Sequence, residues 1–143
     1  MDAFKQWLGK TWDCLLRRPT EQALPVSDGQ LAERLAEKFL RQKGLTILAR
    51  NVRCKGGEID LIALEGTTLV FVEVRLRQNA DFGGAAASIT RPKQKRIILA
   101  ARHWLHGEGR RYARHPCRFD ALLLNDLTGS GCKWIRAAFM EAH

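Results

Sequence analysis

The chain has 143 residues, a length that suits one domain with one substantial core. A hydrophobic content of 45% excludes a disordered chain, and no apolar run is long enough to cross a membrane. The net charge of +9 is concentrated: Arg75 to Arg118 holds eleven Lys/Arg against Asp81 and Glu108, an excess equal to that of the whole chain, which points to a polyanionic partner.

In residues 1–18, Phe4, Trp7, Leu8, Trp12, Leu15 and Leu16 fall at helical spacing, with Lys5, Lys10, Arg17 and Arg18 around them. The pattern predicts an amphipathic helix packed on the domain or on a second copy; a membrane surface or a partner is the alternative. Pro19 to Pro25 reads as a linker, which divides the chain into 1–26 and a domain over 27–143. The N-terminus lacks the unbroken apolar stretch of a signal peptide. Cys14, Cys54, Cys117 and Cys132 form no CxxC pair, and His103, His106 and His115 complete no metal-ligand array with them. Reduced thiols in a cytoplasmic protein are expected.

Ser27 or Asp28 can cap a helix that runs to Lys43, with Gly44 as its stop and Leu31, Leu35, Phe39 and Leu40 as its apolar stripe. Strands are predicted over Thr46–Arg53, Glu58–Leu64 and Leu69–Arg77. A small-residue loop follows, containing "DFGGAAAS". Thr90 caps the next helix, Pro92 suits its first turn, and Ile97, Ala101, Trp104 and Leu105 give it a buried face. Two more strands, Arg118–Leu124 and Lys133–Phe139, flank the turn sequence "NDLTGSG". The order helix, three strands, helix, two strands predicts an α/β domain with one mixed five-stranded sheet flanked by helices.

The second and third strands carry acids inside apolar runs. Gly66-Thr67 suits a type II′ turn that pairs Glu65 with Thr68. An unbroken ladder from that turn places Asp60 opposite Glu73 and Glu58 opposite Arg75. Alternation then gathers Glu58, Asp60, Glu73, Arg75 and Arg77 on one face, with Ile59, Leu61, Val70, Val72 and Val74 on the other. Two opposed carboxylates repel, so a shared proton, a nearby arginine or a divalent cation must offset them. Oxygen-only ligands suit Mg²⁺ or Mn²⁺. The plainer alternative is a Glu58–Arg75 ion pair with Asp60 solvated at a strand end.

The blocks "GGEIDLIA", "VFVEVRLR", "FGGAAASITRPKQKR" and "CRFD" together resemble the YraN-like bacterial proteins, over roughly residues 28 to 140. The helix pattern Glu33-x-x-Ala36-x-x-Phe39-Leu40 and the strand with Asn51 belong to the same likeness. That family is grouped with the PD-(D/E)XK nucleases, close to archaeal Holliday-junction resolvases. The resemblance implies a restriction-endonuclease-like core, with Asp60, Glu73 and Glu33 as metal ligands for Mg²⁺ or Mn²⁺. It also implies phosphodiester hydrolysis, on branched or duplex DNA, by a protein that cuts two strands as a homodimer. Where such nucleases usually carry lysine, two residues after the acid, this chain has Arg75. Arginine can hold a phosphate oxygen but stays protonated, so it supplies charge and no general base. Glu58 would hold Arg75. The expected phosphate contacts are Arg53, Lys55, Arg77, Ser88, Lys93, Lys95 and Arg96, with Gln94 in support. Such contacts position a protein without reading sequence, so structure-selective or nonspecific binding is expected. A nucleic-acid-binding module with the same fold and little catalysis is the alternative, and a scaffold that associates through the N-terminal helix is a third reading.

Overall fold

A computed structural model of the chain describes residues 25–76 and 89–141. The expected N-terminal helix, most of its linker, the small-residue loop, Arg77 and Ser88 lie outside the described residues. The elements are α1 (Asp28–Gln42), β1 (Thr46–Cys54), β2 (Gly57–Glu65), β3 (Thr68–Leu76), α2 (Arg91–His106), a 3₁₀ turn at Arg110–Tyr112, β4 (Cys117–Leu124) and β5 (Cys132–Phe139). α1 and the five strands each lie within a residue or two of their predicted bounds, and α2 starts at its predicted cap; the 3₁₀ turn was not expected.

The punctuation acts as its chemistry requires. The Ser27 hydroxyl accepts the Gln30 N–H, while the Gln30 side-chain oxygen accepts the Ser27 N–H, closing a capping box on α1. The Thr90 hydroxyl accepts the Lys93 N–H at the start of α2. At the β2–β3 turn Gly66 has φ 58° and Thr67 does not share its positive φ, as a type II′ turn demands.

The five strands form one mixed sheet in the order β1-β2-β3-β4-β5. The pair β3–β4 is parallel and the other pairs are antiparallel, so α2 is the crossover between the two parallel strands. Two apolar clusters sandwich the sheet. One joins Ile97, Ala100, Ala101 and Trp104 of α2 to Ile59, Ile62, Phe71 and Phe119. The other joins Ala36 and Leu40 of α1 to Leu61, Ala63, Val70, Val72 and Leu122. The deepest line of α1 is Ala32–Ala36–Leu40, not the predicted Leu31–Leu35–Phe39 line, which is only half-buried. Small side chains mark where the helix axis comes closest to the sheet, and a pattern search weighted to large residues passes over them. The same holds for α2. A Cβ on Gly57 would meet the Arg96 carbonyl oxygen at 2.3 Å, so glycine there lets α2 settle against β2.

The predicted ladder is correct from Glu65↔Thr68 to Leu61↔Val72 and stops there. The rungs Asp60–Glu73 and Glu58–Arg75 do not form. Ile59 and Leu61, expected on one face, lie on opposite faces of the sheet. The cause is local. The β1–β2 ladder skips the Asn51–Asp60 rung, and Asn51 adopts a left-handed φ of 48°. The alternation of β2 therefore slips at Asp60, at the end of the sheet where β2 and β3 part.

Candidate functional site

Where the two strands separate, the Asp60 carboxylate takes the place of a backbone acceptor. Its Oδ2 accepts the Val74 N–H at 2.8 Å, which pins the start of β2 to the end of β3. Glu73, one residue before Val74, is 3% exposed, and its charge acts on Asp60. The Asp60 carboxyl is consequently pushed up to about 7 from an ordinary 3.8. Burial is the largest cause and the Glu73 charge the second; the Val74 N–H opposes both, and the more distant Glu33 charge adds to the repulsion. The expected pair of carboxylates thus exists, reached by side chains across a parted ladder.

Two cations attend the pair. The Lys93 ammonium, from the first turn of α2, lies 2.8 Å from Glu73 Oε1. Arg75 Nε lies 3.7 Å from the same oxygen, too far for a hydrogen bond, and this buried N–H has no acceptor among the described residues. Lys93, expected on substrate phosphate, contacts Glu73 in this structure. Glu58 was expected to hold Arg75. It stands instead across from Arg53 on β1, and among the described residues it makes no ion pair with Arg75. The parted strands carry the two away from each other.

Glu33 is half-buried on α1 and lines a recess with Gln30, Arg34, Glu37, Arg50, Asn51 and Leu61. It acts on Asp60 through its charge, but Glu33, Asp60 and Glu73 do not close into a ready three-ligand cage among the described residues. Arg53 is exposed on the edge strand β1 and Lys55 in the turn that follows it, and Lys95 and Arg96 are exposed on the first turns of α2. Gln94 donates its side-chain N–H to the Ile89 carbonyl oxygen at 2.9 Å, a bond that fastens the entry of α2. No helix among the described residues is long and apolar enough to cross a membrane. Cys54, Cys117 and Cys132 are free thiols.

The donor set suits a hard divalent cation. Mg²⁺ takes oxygen ligands, keeps several waters and needs only one or two carboxylates from the protein. Asp60 and Glu73 supply those oxygens on a fixed backbone, and their mutual repulsion is what a divalent charge would relieve. The Arg75 Nε–H beside them has no acceptor among the described residues.

A second aspartate, fully buried, carried no assigned role in the sequence. Asp120 on β4 is 0% exposed. It accepts Nε and Nη2 of Arg118 at 2.8 and 2.9 Å, the Trp134 indole N–H at 2.9 Å and the Ala137 backbone N–H at 2.9 Å. Arg118 and Arg136 also meet at Glu65. The Arg-x-Asp spacing within one strand was the available signal, because residues two apart share a face.

Residues 32–124 match the profile described as Uncharacterised protein family UPF0102. The chain is similar to a UPF0102 protein of Methylobacillus flagellatus, at 51% identity over 111 residues, covering 78% of this chain and 95% of that one. It is similar to another of Hahella chejuensis, at 54% over 114 residues, covering 80% and 90%. A third, of Pseudomonas putida, is 49% identical over 119 residues, covering 82% and 96%. These matches agree with the YraN-like resemblance carried by the sequence motifs.

Proposed function

We propose that this chain, which belongs to Uncharacterised protein family UPF0102, is a nucleic-acid-binding protein with a restriction-endonuclease-like core and a metal-dependent, structure-selective DNA endonuclease. The observation that carries the reading is the pairing of half-buried Asp60 with buried Glu73 at the parted end of the β2–β3 ladder, with two cations at Glu73. A fold gains nothing in stability from a carboxyl whose proton affinity is raised by burial and by the charge of a neighbouring carboxylate, so Asp60 beside Glu73 is a candidate functional site.

In this reading Asp60 and Glu73 present their oxygens to one or two Mg²⁺ or Mn²⁺ ions, and Glu33 contributes charge from α1. Such an ion, when bound, polarises the phosphate and lowers the pKa of a water. The Arg75 N–H groups meet a non-bridging phosphate oxygen and stabilise the negative charge that grows there during hydrolysis. Arg53 on β1 and Lys55 in the turn after it, with Lys95 and Arg96 on α2, hold the backbone of the same nucleic acid. Contacts of that kind select shape and charge, so branched or duplex DNA is the substrate class.

The alternative is a binding module with this fold and little catalysis, favoured by Arg75 at the position where lysine is usual. Cleavage of branched, flapped and linear DNA with Mn²⁺ separates the two. The nuclease reading expects products from the wild type and a loss of at least about 100-fold in Asp60→Ala and Glu73→Ala. Tight, salt-sensitive binding with no cleavage of any substrate would leave the binding module standing.

A further inference from the structure

Lys93 is the group at this site that neither the sequence pattern nor the family match assigns to the carboxylates. Its backbone N–H is fixed by the Thr90 cap, and Gln94 ties the same turn to the Ile89 carbonyl. The side chain is thereby delivered from α2 to Glu73, at 2.8 Å, with about a third of its surface still open. An ammonium has three N–H donors, and Glu73 uses one. Arg75 touches the same oxygen only at 3.7 Å.

A divalent cation on Glu73 and an ammonium at hydrogen-bond distance from it compete for the same lone pairs. We propose that Lys93 is the exchangeable cation of the site: it neutralises Glu73 while no metal is bound, and passes to a non-bridging oxygen of the substrate phosphate when a metal takes Glu73. This rests on the nuclease reading above. It makes Lys93 a catalytic residue, in contact with substrate, supplied by a helix rather than by the strand that carries Glu73. It also accounts for Arg75. With a lysine arriving from α2, the strand position is free to hold a guanidinium that only stabilises charge.

The exchange predicts opposite effects on two quantities. In Lys93→Met the competitor for Glu73 is gone, so Mg²⁺ affinity measured by calorimetry without DNA rises about tenfold. Turnover on DNA at saturating Mg²⁺ falls about 100-fold, because the phosphate loses a donor. Lys93→Arg, which keeps the charge, recovers part of that turnover. Lys133→Met, which removes an exposed charge on β5, leaves Mg²⁺ affinity within about twofold, so a general charge effect is accounted for. Unchanged or weaker Mg²⁺ binding in Lys93→Met overturns the exchange, as does tighter binding with full turnover. If the wild type binds Mg²⁺ and cleaves DNA, either result removes the Lys93 proposal alone. If the wild type does neither, the nuclease reading falls with it.

Discussion

Asp60 and Asp120 make use of the same backbone device and reach opposite ends. Each sits at an irregularity in a strand ladder, and each carboxylate captures a backbone N–H of the neighbouring strand, Val74 for Asp60 and Ala137 for Asp120. Asp120 then collects an arginine fork and an indole N–H, so its charge is matched on every side. Among the described residues, Asp60 receives nothing further but the repulsion of Glu73 and Glu33. A buried carboxylate with its donors in place holds the fold together, whereas one pressed against another carboxylate has capacity left over for a ligand.

That contrast can be broken most severely at Asp120. Asp120→Ala leaves the Arg118 guanidinium without its bidentate partner and two further N–H groups unpaired. A loss of about 3–5 kcal/mol is expected in urea unfolding. A loss under about 1 kcal/mol would mean that the network does not stabilise the fold.

The sign reverses at Asp60. Its folded-state pKa of about 7 stands above the ordinary 3.8, so the folded chain binds a proton that the unfolded chain has released over that interval. The contribution of this proton is fully present below about pH 4 and is lost as pH rises to about 7. Asp60→Asn keeps the shape and an acceptor for the Val74 N–H while removing the charge. At pH 8 it should be more stable than the wild type by about 2 kcal/mol, and at pH 4.5 nearly equal to it. Unfolding curves at the two pH values decide this; an advantage that does not grow with pH contradicts the buried repulsion.

A smaller effect separates the members of the Asp120 network. Trp134→Phe removes one donor of several and keeps the ring packed edge-on against Phe39, so a loss of about 1 kcal/mol is expected in the same unfolding assay. A change as large as that of Asp120→Ala would make the indole, not the arginine fork, the principal partner.

The elements were legible in the sequence because caps and turns carry local chemistry: Ser27, Thr90 and Gly66 each act where they were expected. The carboxylate pair was legible for a related reason, since a type II′ turn sets the register of the strands beside it. The parting of that ladder was not. It depends on the left-handed backbone at Asn51 and on a side chain replacing a ladder bond, neither of which alternates with any period. The Lys93 contact was hidden for a different cause: it links the first turn of α2 to β3, residues twenty apart in the chain, and a tertiary contact of that kind leaves no local pattern. The line Ala32–Ala36 was missed because small residues carry little hydrophobic signal while marking the closest approach of helix and sheet.

The central claim is that the Asp60–Glu73 pair is a divalent-cation site. Calorimetric titration of the intact protein with Mn²⁺ at pH 8, without DNA, tests it most directly. The account predicts saturable binding to the wild type, weakened at least about 30-fold in both Asp60→Asn and Glu73→Gln while each variant remains folded. A wild type that binds no Mn²⁺, or variants that bind it as tightly as the wild type, would contradict it.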